Sequence, residues 1–111
     1  MTIKNILIIL LVTTLAHSQE RPVYTYSIVA IDEESGQMGG AVQSHWFSVG
    51  SLVLWAEPGV GIVATQSFVR PEYGPELLNM FSREVSPQLA LNMLLKKDSE
   101  QNVRQVGAVD T

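Results

Sequence analysis

The sequence predicts an α+β fold, in which a run of antiparallel strands precedes a run of helices. Three observations carry this. Residues 39–67 (GGAVQSHWFSVGSLVLWAEPGVGIVATQS) hold three apolar runs, both tryptophans and only one charged side chain, Glu57. Within them, Val49–Ala56 and Val60–Ala64 are rich in Val, Ile, Leu and Trp, as strands buried on both faces are. Between these runs Glu57-Pro58-Gly59 places Pro where φ is preset and Gly where φ is positive, a type II turn signature. Two antiparallel central strands follow from this, and helical signals begin only later.

The other elements are read in order. Tyr24–Ile31 is strand-like and ends in the polar turn Asp32-Glu33-Glu34-Ser35-Gly36, and Gln37–Ser44 returns as the second strand of a hairpin. Gly39-Gly40 inside that strand marks a bulge or a close backbone approach. Pro71 ends the sheet run. Pro75 suits a first helical position with Glu76 near the positive end of the dipole, and Leu77, Leu78, Phe81 and Val85 recur near helical spacing. Ser86-Pro87 restarts the chain as a second helix with Leu89–Leu95 as its apolar body and Lys96-Lys97 at its negative end. Asp98–Asn102 reads as a polar loop and Val103–Val109 as a fifth strand. The sequence stops straight after it, at Asp110-Thr111, as about half of a layered fold would. An open strand edge there predicts self-association into a homo-oligomer.

Composition narrows the function classes. The 111 residues carry a formal charge of -4 and no cysteine. Disulfides, thiolate nucleophiles and cysteine-based metal sites are thereby excluded. No basic cluster exceeds Lys96-Lys97, which argues against a nucleic-acid partner. Lys4, the apolar run Ile6–Leu15 and the small-x-small site Ala16-His17-Ser18 read as a cleavable leader over residues 1–18. A run of about ten apolar residues is half of the roughly 20 that span a bilayer, so no membrane anchor is expected once the leader is gone. Residues 19–23 read as a linker, and the mature protein is expected to be secreted or periplasmic.

Several constellations fail on physical grounds. Gly59-Val60-Gly61-Ile62-Val63-Ala64 has the letters of a dinucleotide loop, but β-branched residues continue the strand where a helix should open. His45 is the only histidine beyond the leader, and Asp32-Glu33-Glu34 reads as a solvated turn, so neither a metal nor another cofactor is expected. Ser44 and His45 adjoin, yet strand neighbours point to opposite faces, and no G-x-S-x-G elbow is present. Thr25 and Ser27 lie on the first strand close to the mature N-terminus. A threonine with a free α-amine can use that amine as general base, because it titrates near neutrality.

Tyr26-Ser27-Ile28-Val29-Ala30 with Asp32, then Gly40-Ala41-Val42 with Ser44 and Phe47-x-Val49-Gly50, resemble the opening of a known family. Trp55-Ala56, Gly59-Val60-Gly61 with Val63-Ala64-Thr65-Gln66, Tyr73-Gly74-Pro75, and Arg104-Gln105-Val106-Gly107 with Val109-Asp110 continue the likeness in order. The family is domain of unknown function 1028 (DUF1028), grouped by fold with the N-terminal nucleophile (Ntn) hydrolases. The resemblance spans Tyr24 to Asp110 and implies the N-terminal half of an αββα sandwich of the Ntn-hydrolase type. It also implies Thr25 as candidate nucleophile. Ser27, Ser44, His45, Thr65, Gln66 and Arg70 are then polar residues near strand ends expected to line its cleft.

Leader removal would leave residues 19–24 ahead of Thr25, so a free Thr25 amine requires a second processing step. Proteasome-type enzymes of this fold also use a lysine in the early sheet, and none lies between Gln19 and Val85 here. The leading expectation is a secreted amide-bond hydrolase acting on a small-molecule or peptide ligand. The alternative is a secreted binding or structural module on the same fold.

Overall fold

The computed structural model describes residues 24–111, so the leader and linker readings lie outside the described residues. Strands Tyr26–Ile31 (β1) and Met38–Gln43 (β2) form an antiparallel two-stranded sheet. Leu54–Glu57 (β3), Gly61–Ser67 (β4) and Arg104–Asp110 (β5) form an antiparallel three-stranded sheet in the order β3-β4-β5. A single helical turn, Gly50–Val53 (α1), joins the two sheets, and helices Tyr73–Phe81 (α2) and Pro87–Leu95 (α3) lie between β4 and β5 in the chain. Among the described residues no helix is long and apolar enough to cross a membrane.

Strand β4 organises the layers because its two faces are both covered. Val63 belongs to the buried cluster with Tyr73, Leu77, Leu78 and Phe81 of α2 and Ala90 and Leu94 of α3. One residue earlier, Ile62 faces the other way, toward Gly40 of β2. A Cβ on Gly40 would lie 2.9 Å from Ile62 Cδ1 and 3.2 Å from Leu54 Cδ2. Gly40 is therefore a close approach between sheets. It is not a bulge, since the β1–β2 register runs unbroken through Val29↔Gly40 and Ala30↔Gly39. The order is helices, three-stranded sheet, two-stranded sheet.

The core is strongest on the helix side, where Val63, Leu77 and Ala90 are fully buried. Each fully buried large aliphatic contributes about 1.5–3 kcal/mol relative to exposure. Helix α2 begins at Tyr73, two residues before the Pro75 start that the sequence suggested. Val85 lies beyond its end. Glu84 takes φ +62°, its N–H donates to Phe81 O at 2.8 Å, and the Val85 N–H donates to Met80 O at 3.1 Å. This is a Schellman stop with glutamate in the position glycine usually holds.

One expected strand is half wrong. Val49–Ala56 was expected to be extended, but Gly50–Val53 is helical and only Leu54–Glu57 joins the sheet, at its edge. The physical reason is that the chain must cross from one sheet to the other here. Ser48 at φ +55° turns it, and the Val49 carbonyl accepts from the N–H groups of Leu52 and Val53, both at 3.0 Å. That tertiary demand overrides the β propensity of the run. The Glu57–Val60 turn is as expected, with Gly59 at φ +72° and the Val60 N–H donating to Glu57 O at 3.0 Å. Gly61–Ser67 continues as strand, so the G-x-G-x-x-A letters open no helix.

Candidate functional site

Thr25 lies immediately before β1, at the end of the molecule where β2, β4 and β5 also present polar side chains. Its Oγ1 is 2.7 Å from Ser44 Oγ, just past β2. Ser44 Oγ accepts from the Trp46 N–H at 3.2 Å, a local turn that fixes the serine rotor. With one lone pair so occupied, Ser44 still has an acceptor position for the Thr25 hydroxyl. The carbonyl of Thr25 is held too, because Gln66 Nε2 donates to Thr25 O and to Gln105 Oε1, both at 3.0 Å. Gln66 and Gln105 are cross-strand partners on β4 and β5, so the three-stranded sheet reaches across to grip the start of β1. Among the described residues Gln66 Oε1 is buried with no partner.

Two clefts meet at this threonine. One, of about 490 Å³, is lined by Tyr24, Thr25, His45, Trp46, Ser67, Phe68 and Gln105. The other, of about 410 Å³, is bounded by Thr25, Trp46, Gln66 and Ser67 and by the apolar Phe47, Val49, Leu52, Val53 and Val69. Both volumes lie in the range of small-molecule sites. Among the described residues only Thr25, Trp46 and Ser67 border both. Ser67 adopts φ +74°, uncommon for a residue other than glycine, and such outliers gather at functional sites.

A second polar cluster adjoins this end. Asp98, 5% exposed, accepts from Tyr73 Oη at 3.0 Å, Arg104 Nε at 2.7 Å, Arg104 Nη2 at 3.2 Å and the Glu100 N–H at 2.9 Å. Arg104 Nη2 also reaches Glu100 at 2.9 Å, and Arg104 Nη1 donates to the carbonyl of Phe68. The Arg104 hydrogen bond, followed by the Glu100 N–H, holds the Asp98 carboxyl well below the usual carboxylate range. Burial, and then the bond to Asp98, pushes the Tyr73 phenol up to about 12. The guanidinium of Arg104 is raised by the same bond to Asp98. By holding the Phe68 carbonyl, this cluster fixes one wall of the larger cleft.

The family model for DUF1028, a family of unknown function, matches residues 25–111. The chain belongs to this family. The DUF1028 crystal structure of protein SPO2555 from Silicibacter pomeroyi superposes with a TM-score of 0.73 at 33% sequence identity. The superposition covers 78% of this chain and 40% of that one, so the chain spans well under two thirds of that DUF1028 protein. A comparison with curated proteins gave no match.

Of the residues that the sequence and the DUF1028 resemblance nominated, Thr25, His45 and Gln66 line the clefts, and Ser44 lines neither but lies against the Thr25 hydroxyl. His45 is exposed and tilts against Trp46, with ring centroids 4.9 Å apart. Ser27 sits one pleat from Thr25 on the inner side of β1 and lines neither cleft. Thr65 does not join them. It is fully buried, on the side of β4 that faces the helices, because Thr65 and Gln66 are strand neighbours and cannot share a face. Arg70 stands over the Tyr73 ring at 5.6 Å and 3.9 Å from Asp98, in the charged cluster, and lines neither cleft. Sequence reasoning missed Ser67, Gln105 and Asp98. Gln105 was within reach, since it falls in the Arg104-Gln105-Val106-Gly107 motif. Asp98 was read as part of a polar loop, and its burial depends on Arg104 and Tyr73, which only the fold brings to it. Asp32, by contrast, is a turn residue: its carboxylate accepts from Ser35 Oγ at 2.6 Å and from the Glu34 N–H at 3.2 Å.

Proposed function

We propose that this DUF1028 chain carries the nucleophile of a secreted amide-bond hydrolase, Thr25, on a sandwich of the Ntn-hydrolase type. The observation that supports it is the position of Thr25, its hydroxyl 2.7 Å from Ser44 and the residue itself bordering both clefts. Removal of residues 1–24 frees the Thr25 α-amine. That amine takes the hydroxyl proton as Oγ1 attacks the amide carbonyl carbon. The C–N bond then breaks, the proton passes to the departing amine, and an ester remains on Thr25. Water hydrolyses the ester to release the carboxylic acid and restore the hydroxyl. Ser44 orients the Thr25 hydroxyl, and Gln66 fixes the Thr25 backbone.

The exported, full-length protein is expected to begin at Thr25 on N-terminal sequencing and to hydrolyse amides. Thr25→Ala should abolish turnover while leaving the circular dichroism spectrum unchanged. Ser27→Ala should retain most of the activity, since that side chain lies outside the clefts. A mature protein that keeps Tyr24 ahead of Thr25 would sink the hydrolase reading. A binding module would then replace it, a reading favoured by one observation: with Tyr24 in place, the Thr25 nitrogen is a peptide amide with no basic lone pair.

A further inference from the structure

We infer that the substrate is an uncharged amide whose apolar portion sits in the smaller cleft, with the scissile bond at Thr25 and a neutral polar portion in the larger cleft. The inference rests on the hydrolase reading for the reaction but not for the binding. Phe47, Val49, Leu52, Val53 and Val69 make one side of the junction apolar, whereas on the other side His45 and Gln105 add polar side chains beside the rings of Tyr24 and Phe68. Among the described residues, no Asp, Glu, Lys or Arg lines either cleft. In the uncut chain a ligand charge buried in the smaller cleft would meet no counter-ion there, and an unpaired buried charge is costly. Apolar surface buried there is favourable in proportion to its area.

The apolar side is also shaped as a receptor. Phe47 is 98% exposed and Trp46 69% exposed, so both rims carry large apolar surface that nothing else among the described residues covers. The cleft floor is firm, because Val53 is 4% exposed and packs into the interior. Ser67, in its left-handed conformation, stands with Thr25 and Trp46 between the two clefts. Any ligand spanning both therefore passes the junction that Thr25 forms with Trp46 and Ser67. That continuity with the candidate nucleophile commits the groove to a small ligand.

Binding is read in the full chain carrying Thr25→Ala, so that turnover plays no part. The signal is the fluorescence of Trp46, with Trp46→Phe as the blank for Trp55. Butanamide, hexanamide and octanamide should bind with affinity rising about fourfold per added methylene, the factor equivalent to ~0.8 kcal/mol. Two matched probes, 6-aminohexanamide and the monoamide of adipic acid, carry a positive and a negative end, and each should bind at least tenfold more weakly than hexanamide. Leu52 is 46% exposed, so Leu52→Lys is tolerable for folding; it should weaken hexanamide at least tenfold and strengthen the adipic monoamide. Phe47→Ser, at a nearly fully exposed site, should flatten the chain-length series if Leu52→Lys does not fold. Equal affinity across chain lengths, or charged ends bound as well as hexanamide, would overturn the inference. If the amide series binds as stated but the chain with Thr25 intact turns over none of it, the hydrolase reading fails and the subsite stands. If turnover occurs but ignores chain length, the subsite fails and the hydrolase reading stands.

Discussion

Two polar clusters stand side by side on β5, one at Arg104 and one at Gln105, and they are completed differently. At Arg104 every partner is matched: Asp98 takes donors from Tyr73, Arg104 and the Glu100 backbone, and the guanidinium directs its nitrogens to Asp98, Glu100 and the Phe68 carbonyl. At Gln105 the groups are neutral and the matching is incomplete, since Gln66 Oε1 is buried without a donor among the described residues and Thr25, bonded to Ser44, borders two clefts. The contrast separates holding from receiving. A cluster that only holds the fold saturates its donors and acceptors, because each unmatched buried group costs stability. On the proposed function, the Gln105 cluster keeps some of them in reserve for a ligand.

The comparison breaks most visibly at Asp98. Asp98→Asn should give a larger stability loss than Tyr73→Phe or Ser44→Ala, because it leaves the Arg104 guanidinium, 9% exposed at its side chain, with only the exposed carboxylate of Glu100. Urea denaturation measures it, and a loss no greater than that of Ser44→Ala would erase the distinction between the clusters. The same variant carries a pH signature. Since the folded pKa of Asp98 is depressed, the unfolded chain binds more protons in the acid range, and stability falls as pH falls below about 4. Asp98→Asn should flatten that acid limb.

A smaller loss, about 1 kcal/mol, is expected for Tyr73→Phe, which removes one donor to Asp98 while keeping the ring in the core. Here the sign is opposite. The Tyr73 pKa is raised from 10.0 to about 12, so its contribution is complete below pH 10 and lost as pH rises through 12. Alkaline unfolding curves of the two proteins should converge over that interval. The smallest effect belongs to the cluster at Gln105. Ser44→Ala should shift stability by only about 0.5 kcal/mol, the low end for a hydrogen bond, while weakening any turnover at Thr25. A loss above about 2 kcal/mol would move Ser44 into the holding class.

The sequence carries the strands and helices where the period and the turn residues agree. The Glu57-Pro58-Gly59 turn, the β1–β2 hairpin and the Ser86-Pro87 restart are local features, and each was legible from a few adjacent residues. Val49–Val53 was not, because its helical turn answers to the distance between two sheets rather than to its own side chains. The site shows the same divide. Thr25 and Ser44 emerged through the DUF1028 resemblance, whereas the inward turn of Thr65 follows from which face of β4 meets the helices. Polar character near a strand end marks a residue as eligible for a cleft, but the strand's two-residue period decides which of two neighbours enters it. Asp98 and Ser67 lay beyond reach for another reason: burial of the one and the backbone of the other are set by residues far away in the chain.

The grip of Gln66 on the Thr25 carbonyl has a meaning for any cut made just upstream. A freshly made chain end normally frays, since nothing beyond it keeps it in place. Thr25 would instead be born docked, its carbonyl clasped from β4 and its hydroxyl from Ser44. The freedom such an end would have to give up before acting, about 1–2 kcal/mol for one backbone unit, is already surrendered in the uncut chain. Maturation at this peptide bond would then be a matter of unveiling a poised group rather than of building one.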